Sequence, residues 1–288
     1  MNVTTPSSRA RAGMALFLLP LLSACSAGGT GTAEAPRPTA AQRLDDSKTL
    51  KLPLDDYLLT TIDAAALARG RDSLMQRCLA GLGAPYTPKA RGNADIETNE
   101  RRYGLADAEL AKEHGYHLPD TDKPAEDYPA SVMPLVTGET TTYNGLPVPE
   151  GGCAGEAQRE LHEVELQAAL ALPQKLNMES YLKSQKAPAV VKASEAWSTC
   201  MKKSGHTYPD PLAAINDKEF SAPAPGAHEK EVALADVLCK QKVNLIGIWS
   251  GAESEYQTFL IESNSSVLAE PLRAKQKTMA AAQAATGR

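Results

Sequence analysis

The chain has 288 residues, of which 30 are basic and 35 acidic, so its formal net charge is −5. This length is enough for one large domain or for two small ones. An acidic chain lacks the electrostatic footprint of a nucleic-acid-binding protein, and we therefore expect no nucleic-acid partner.

The first 24 residues predict a secretory signal peptide. Arg9 and Arg11 precede an apolar run at residues 14–22, and no acidic residue occurs among the first 24. The run has nine residues, whereas a membrane-spanning helix needs roughly 20. Residues 22–25, Leu-Ser-Ala-Cys, resemble the lipobox of bacterial lipoproteins. This resemblance implies cleavage before Cys25 and attachment of diacylglycerol to its sulfur; the alternative is an ordinary signal peptide followed by an accidental cysteine.

We expect the mature chain to be held at the outer face of the cell membrane by lipid at Cys25. Each buried CH₂ group contributes roughly 0.8 kcal/mol, so two or three acyl chains make a stable anchor. The mature chain would carry a net charge of −7, because the signal peptide removes two arginines and no acid. No run of basic residues is present, so the acyl anchor is the expected membrane contact.

The four remaining cysteines predict two disulfides, since an even number in an exported chain is typical of disulfide pairing. None has the Cys-x-x-Cys spacing of a redox pair or a zinc site. Cys78 and Cys200 are each followed by Gly five positions on and by Tyr eight positions on. Of three possible pairings, this repeated spacing, the sequence echo, favours Cys78–Cys153 and Cys200–Cys239. Each bond would lie in one of two related helix-loop-helix halves. Two unrelated helix pairs that converged on Cys, Gly and Pro are the alternative.

The first part of the chain predicts a flexible tether and then a helix. Residues 25–49 are rich in Ala, Gly, Thr and Pro and cannot bury enough apolar surface to fold. Apolar residues at helical spacing predict a helix over 62–82 that carries Cys78 near its end. Six prolines between residues 119 and 149 exclude long regular elements there. A short helix at about 107–113 precedes them.

The second part of the chain reads as a series of helices, with Pro188 in the first turn of one of them. We expect these helices at about 156–172, 176–186, 188–205, 229–262 and 267–284. Apolar residues recur every seven positions along the fourth helix of this series and predict an apolar stripe: Leu238, Leu245, Ala252 and Phe259. The expected fold is mainly α, with disulfide-stapled helices and long Pro-rich loops. It forms a domain over 50–288 with halves at about 50–172 and 174–264.

Three short motifs resemble catalytic signatures but lack the required residues. The sequence at 162–166 begins like the zinc-protease motif His-Glu-x-x-His, yet position 166 is Leu. Ser180 and Lys183 have the Ser-x-x-Lys spacing of penicillin-binding enzymes, but the further motifs of those enzymes are not at suitable distances. Gly247–Gly251 has its Ser in the fourth place, whereas a nucleophile elbow has it in the third. We therefore expect no catalytic residue, metal or cofactor from these motifs.

The segment at 89–150 makes the first half longer than the second, and its polar residues are the candidate binding residues, because loops often carry function. These candidates are Arg101, Arg102, Tyr103, His114, Tyr116 and His117. The arginines and Tyr103 would suit a small anion or a glycan, and the histidines with Asp120 and Asp122 would suit a metal ion. The ordinary interpretation is a polar loop anchored by Tyr and His side chains. Trp197 and Trp249 lie on apolar helix faces and predict core packing.

Several short motifs together resemble secreted lipoproteins of high-GC Gram-positive bacteria. They are Arg101-Arg102-Tyr103-Gly104, Gly115-Tyr116-His117, Gly151-Gly152-Cys153 with Glu156-Ala157, Trp197-x-x-Cys200-Met201, and Ala235-Asp236 before Cys239. The resemblance would cover most of residues 55–262, and it implies no known activity or catalytic residue.

The function expected from these features is a non-catalytic cell-envelope module that binds a protein partner or another ligand. One alternative is an envelope hydrolase or metal-dependent enzyme that uses the 89–150 segment, with His114, His117 and a nearby carboxylate. Another is a scaffold that stiffens a membrane complex through the stripe from Leu238 to Phe259.

Overall fold

A computed structural model describes the chain at residues 42–45, 47–87, 97–119 and 128–287. Its helices are α1 (Thr61–Gly81), α2 (Ala108–His114), α3 (Met133–Thr137), α4 (Gly152–Glu160), α5 (Glu163–Ala169), α6 (Ala171–Ser184), α7 (Pro188–Lys203), α8 (Pro211–Ile215), α9 (Ala227–Val243), α10 (Leu245–Ser263) and α11 (Ser265–Thr286). Two 3₁₀ helices lie at Pro53–Tyr57 and Lys218–Phe220. β1 (Thr142–Tyr143) and β2 (Leu146–Pro147) form an antiparallel hairpin in which Tyr143 is opposite Leu146.

The predicted helical, disulfide-stapled fold is confirmed. Cys78 of α1 is bonded to Cys153 of α4, and Cys200 of α7 to Cys239 of α9, with Cα–Cα distances of 5.6 and 5.7 Å. This is the pairing that the sequence echo favours. The bonds close loops of 75 and 39 positions, and the chain-entropy model gives each roughly 4 kcal/mol of stabilisation.

Local sequence signals explain where α1 and α7 begin, and the one at Pro188 was predicted. Thr60 caps α1: its hydroxyl accepts from the Asp63 N–H at 3.2 Å, and the Asp63 carboxylate accepts from the Thr60 N–H at 3.0 Å. This reciprocal pair satisfies donors that the first helical turn cannot satisfy. Pro188 is the first residue of α7, where its lack of an N–H carries no cost.

The predicted single helix over 229–262 is wrong, because Asn244 separates α9 from α10. Asn244 has a left-handed backbone with φ 54°, a conformation that Asn tolerates better than most residues. The two halves of the stripe differ in exposure across this break: Leu238 on α9 is 51% exposed, whereas Leu245 on α10 is buried. The stripe therefore does not form one exposed face.

The predicted helix over 156–172 is also divided. His162 has φ 56° and separates α4 from α5, and a second boundary follows at Leu170. Pro173, which directly follows the predicted end of this helix, lies buried in the first turn of α6. The first turn of a helix tolerates proline because its N–H groups have no partner within the helix.

The packed part of the chain begins earlier than predicted. Whereas the sequence predicts a tether as far as residue 49, residues 42–45 already lie against the junction of α9 and α10. The Leu44 N–H donates to Asn244 Oδ1 at 3.1 Å, and Arg43 Nη2 donates to the Gln241 carbonyl at 3.1 Å. The Asn244 side chain thus both marks the helix break and receives the incoming chain.

The described residues belong to one compact unit in which segments from the two predicted halves share a core. Leu105 and Tyr116, from the 89–150 segment, are buried in one cluster with Trp197 and Met201. At the other end α11 packs along α1, where a Cβ added to Gly70 would lie 2.8 Å from the Ala282 Cα. Both tryptophans are buried, which confirms core packing for them.

Among the described helices, none combines the length and the apolar content that crossing a bilayer requires.

Candidate functional site

Arg101, the first candidate residue, ties the loop before α2 to the segment after it. Its Nη1 donates to the Tyr116 carbonyl at 2.9 Å and its Nη2 to the His117 carbonyl at 3.0 Å. Partial burial lowers the pKa of Arg101, and the neighbouring Glu100 opposes that effect. The guanidinium thus satisfies two backbone acceptors within the protein.

Arg102 and Tyr103 both bind the buried carboxylate of Glu253 on α10. Arg102 Nε donates to Glu253 Oε2 at 3.0 Å and its Nη2 donates to Oε1, while the Tyr103 hydroxyl donates to Oε2 at 2.8 Å. Ser180 of α6 donates to Oε1 at 2.8 Å. Burial alone would lower the pKa of Arg102, but the hydrogen bond and charge of Glu253 outweigh it and raise that pKa. A fully buried anion is compensated here, as such a charge must be.

His117 and the Tyr116 backbone converge on a second buried carboxylate, Glu229 at the start of α9. Glu229 Oε1 accepts from the Tyr116 N–H at 2.8 Å and lies 2.8 Å from His117 Nδ1. The other ring nitrogen of His117 is 2.9 Å from the Ala222 carbonyl. Since both neighbours are acceptors, the cation, which donates from both nitrogens, fits this site best. The hydrogen bond to Glu229, followed by that to Ala222, raises the pKa of His117.

A third charged group, which the sequence reasoning missed, is the buried Asp236–Lys240 pair on α9. Lys240 Nζ donates to Asp236 Oδ2 at 2.8 Å and to the Leu105 carbonyl at 3.0 Å, and Trp197 Nε1 donates to Asp236 Oδ1 at 2.9 Å. Burial raises the pKa of Asp236, against the opposing charge of Lys240. Asp236 and Lys240 are four positions apart in the sequence. Because this spacing is common on exposed helix faces, it does not indicate that the pair is buried.

The structure distributes the six candidate residues over several places. His114 Nε2 lies 3.6 Å from Glu113 Oε1, whereas His117 is paired with Glu229. Within the described ranges no three His, Cys, Asp or Glu side chains are grouped to hold a metal ion. Asp120 and Asp122, the other predicted metal ligands, lie outside those ranges. The contacts of Arg101 and Arg102 give both side chains structural roles, and a binding role for the six residues stays a prediction.

A surface cleft that does not include the six candidate residues presents more accessible charged and polar side chains. It has a volume of 510 Å³ and lies between the Pro53–Tyr57 3₁₀ helix, the start of α1 and one residue of α11. Its lining residues are Lys48, Thr49, Leu50, Lys51, Asp55, Asp56, Thr60, Ile62, Asp63, Glu97, Thr98 and Lys275. A second depression of 450 Å³ shares Asp56 and Lys275 with it, so the two adjoin. Glu97 and Thr98 bring the 89–150 segment to the rim of this cleft.

The inner part of the cleft is fixed by a hydrogen-bonded network. Lys275 Nζ donates to the Asp55 carbonyl at 3.0 Å and lies 2.8 Å from Asp63 Oδ2. Asn99 Nδ2 donates to Asp55 Oδ2 at 2.7 Å. Burial raises the pKa of Asp55 more than its hydrogen bonds lower it. For Asp63 burial would also raise the pKa, but the bonds from Lys275 and Thr60 prevail and lower it.

Charged and apolar groups at the outer part of the cleft remain available. Lys51, Asp56 and Glu97 line it, and within the described residues their side chains have no hydrogen-bond or ion-pair partner. Ile62 beside them is 69% exposed. Such a surface can contact a ligand that carries both charge signs and an apolar group. The sequence reasoning missed this cleft because it assigned Lys48 and Thr49 to the tether and the following residues to the approach to α1.

Comparison of the chain with models of protein families, with curated proteins and with solved structures found no match.

Proposed function

We propose that the protein is a lipid-anchored, extracytoplasmic binding module of the cell envelope and that the cleft beside the Pro53–Tyr57 3₁₀ helix is its binding site. The observation that carries the proposal is this cleft, whose inner surface is fixed while its outer charged groups are available. The lipobox-like residues 22–25 support the location, as do the two disulfides, which persist in oxidising compartments.

A peptide or an extended segment of a partner protein suits the cleft best. Asp56 and Glu97 would accept hydrogen bonds from its ammonium or amide groups, and Lys51 would donate to a carboxylate or a carbonyl. Ile62 would supply apolar contact, which a mixed peptide can match. Because the network around Asp55 already holds the inner surface, binding would cost little ordering of the protein.

Site-specific photo-crosslinking in cells tests this proposal. A photoreactive phenylalanine analogue replaces Ile62 at the cleft or, as a matched control, Val164 on α5, which is 63% exposed. We expect a discrete adduct from position 62 that is strongly reduced when Lys51→Gln and Asp56→Asn are added, and no such adduct from position 164. Equal adducts at both positions, or an adduct indifferent to the two charge changes, would remove the cleft as the site.

The enzymatic alternative has no geometric support from His117. Its Nδ1 faces Glu229 and its Nε2 faces the Ala222 carbonyl, so neither nitrogen faces a substrate. Metal analysis of the purified mature chain discriminates further, since stoichiometric zinc, calcium or manganese would revive a metal-dependent reaction. The scaffold alternative loses its premise, because the break at Asn244 leaves no continuous stripe from Leu238 to Phe259.

A further inference from the structure

The corner between α6 and α7 is a basic and apolar surface on an otherwise acidic chain. We call residues 180–194 the basic corner: the segment holds three lysines and no acid, although the chain as a whole has a net charge of −5. Lys183, Lys186 and Lys192 are all exposed. Between them Leu182 is 50% exposed and Val191 44% exposed.

The inner side of the basic corner is fixed, so its outer side has a defined shape. Tyr181 stacks on Trp249 of α10 with ring centroids 5.5 Å apart, and Trp249 Nε1 donates to Ser184 Oγ at 3.0 Å. Val190 is buried in the same cluster as Trp249. Leu182 near the end of α6 and Val191 near the start of α7 remain exposed.

The acidic residues that flank the basic corner do not neutralise it fully. Glu179 precedes it and accepts a hydrogen bond from the Tyr256 hydroxyl at 2.9 Å, which directs it toward α10. Glu195 follows it, and Glu195 and Asp210 line a 260 Å³ depression beside Val191. The lysines therefore set the charge at the turn itself, with Glu179 at one margin and Glu195 and Asp210 at the other.

The incoming chain reaches the domain next to this corner. Leu44 packs against the same hydrophobic cluster as Tyr181 and Ala187, and Val190 is a buried member of that cluster. Cys25 and the first described residue, Gln42, are 17 positions apart, a stretch that spans at most about 60 Å when fully extended. A lipid at Cys25 would thus keep the domain, including the basic corner, within reach of the bilayer.

We propose that the basic corner docks on an anionic phospholipid surface and sets the orientation of the domain on the membrane. This inference rests on the proposed lipid anchor. Exposed lysines attract anionic headgroups, and the flexible stems of their side chains let the neighbouring apolar residues reach the acyl boundary. The anchor raises the local concentration of the corner at the bilayer, so that a weak contact is enough. The three lysines are three and six positions apart in the sequence, so they do not form a continuous basic run. This surface is therefore recognisable only in the folded structure.

Vesicle sedimentation with an unlipidated chain isolates this contact from the anchor. The protein is the mature chain from residue 25 with Cys25→Ser and oxidised disulfides, and the probes are vesicles of phosphatidylcholine with or without phosphatidylglycerol. Each lysine near an anionic surface contributes about fivefold to partitioning. Lys183→Gln, Lys186→Gln and Lys192→Gln together should therefore lower partitioning onto anionic vesicles by at least about tenfold.

A matched triple variant, Lys202→Gln, Lys203→Gln and Lys218→Gln, changes the charge equally at the other end of α7 and beyond it. It should lower partitioning by less than about twofold, because screening limits surface charges to about 10 Å at 0.1 M salt. Leu182→Ser with Val191→Ser should also weaken binding.

Failure to bind anionic vesicles, or equal losses in both triple variants, would overturn the proposal. Mass spectrometry of Cys25 from native membranes reports separately on the anchor. A lipidated Cys25 with no vesicle binding would refute the basic corner and leave the proposed function standing.

Discussion

Replacing Arg102 with Met should destabilise the protein strongly, because it would leave the Glu253 carboxylate buried without its cation. The Arg102 side chain is 15% exposed and that of Glu253 is fully buried, so water cannot replace the lost partner. Removing one member of a buried ion pair costs about 3–5 kcal/mol. Since small domains have a total stability of about 5–15 kcal/mol, this is a large fraction of the whole.

Two further variants distinguish the cost of an unpaired buried charge from nonspecific destabilisation. Arg102→Met with Glu253→Gln removes both charges while Gln can still accept from the Tyr103 hydroxyl, so it should recover about 2 kcal/mol of the loss. Arg77→Met is the matched control, because the Arg77–Glu160 pair is 3.8 Å apart and both side chains are largely exposed. It should cost less than about 1 kcal/mol.

Urea unfolding of the oxidised proteins at pH 7, followed by circular dichroism, measures these free energies. If Arg102→Met cost no more than Arg77→Met, Glu253 would not be a buried anion that depends on Arg102. Arg102 would then again be a candidate ligand-binding residue. The cleft would no longer be preferred over it as the binding site.

Three further predictions concern the segment that follows α2 and the disulfide between α7 and α9. The pKa of His117 is raised in the folded state, so its pairing with Glu229 stabilises fully below pH about 6.5 and is lost as the pH rises through the raised pKa; His117→Gln should flatten this part of a stability–pH curve. Gly115→Ala should cost more than Gly205→Ala, because a Cβ at Gly115 would lie 2.6 Å from Glu229 Oε1 whereas Gly205, also at positive φ, has open space; thermal unfolding ranks the two. Replacing both cysteines of Cys200–Cys239 with Ser should lower the unfolding free energy by roughly 4 kcal/mol, and a loss below about 1 kcal/mol would contradict the constraint on α7 and α9.

Helical periodicity located most of the helices but could not locate their breaks. The apolar spacing continues through Asn244, since Leu238 and Leu245 are seven positions apart. What breaks the helix is a left-handed residue whose side chain binds the Leu44 N–H, 200 positions away in the chain. A contact of that range has no local signal in the sequence.

The cysteine pairing was predictable because the repeated spacing around Cys78 and Cys200 is a local feature of the sequence. In addition, each bond joins two helices that the apolar periodicity predicts. The roles of Arg101 and Arg102 were not predictable in the same way. A polar residue in a Pro-rich loop is usually exposed, but these two reach acceptors at His117 and Glu253 that only the packed fold brings near.

The cleft was missed for a related reason. Lys51 and Asp56 lie in a short charged stretch, and a stretch of this kind is usually solvated and unremarkable in a sequence. They line one concave surface because Lys275, 220 positions after Asp55, bonds to its carbonyl and brings α11 alongside. The chemistry of the groups was visible in the sequence, whereas their arrangement was not.

A nonreducing peptide map by mass spectrometry, made on protein extracted from membranes, tests the lipid anchor and the disulfide pairing together. We expect an amino-terminal peptide that begins at Cys25 and carries diacylglycerol, together with crosslinked peptides for Cys78–Cys153 and Cys200–Cys239. An unmodified Cys25, or four free thiols among the remaining cysteines, would contradict an anchored, oxidised binding module.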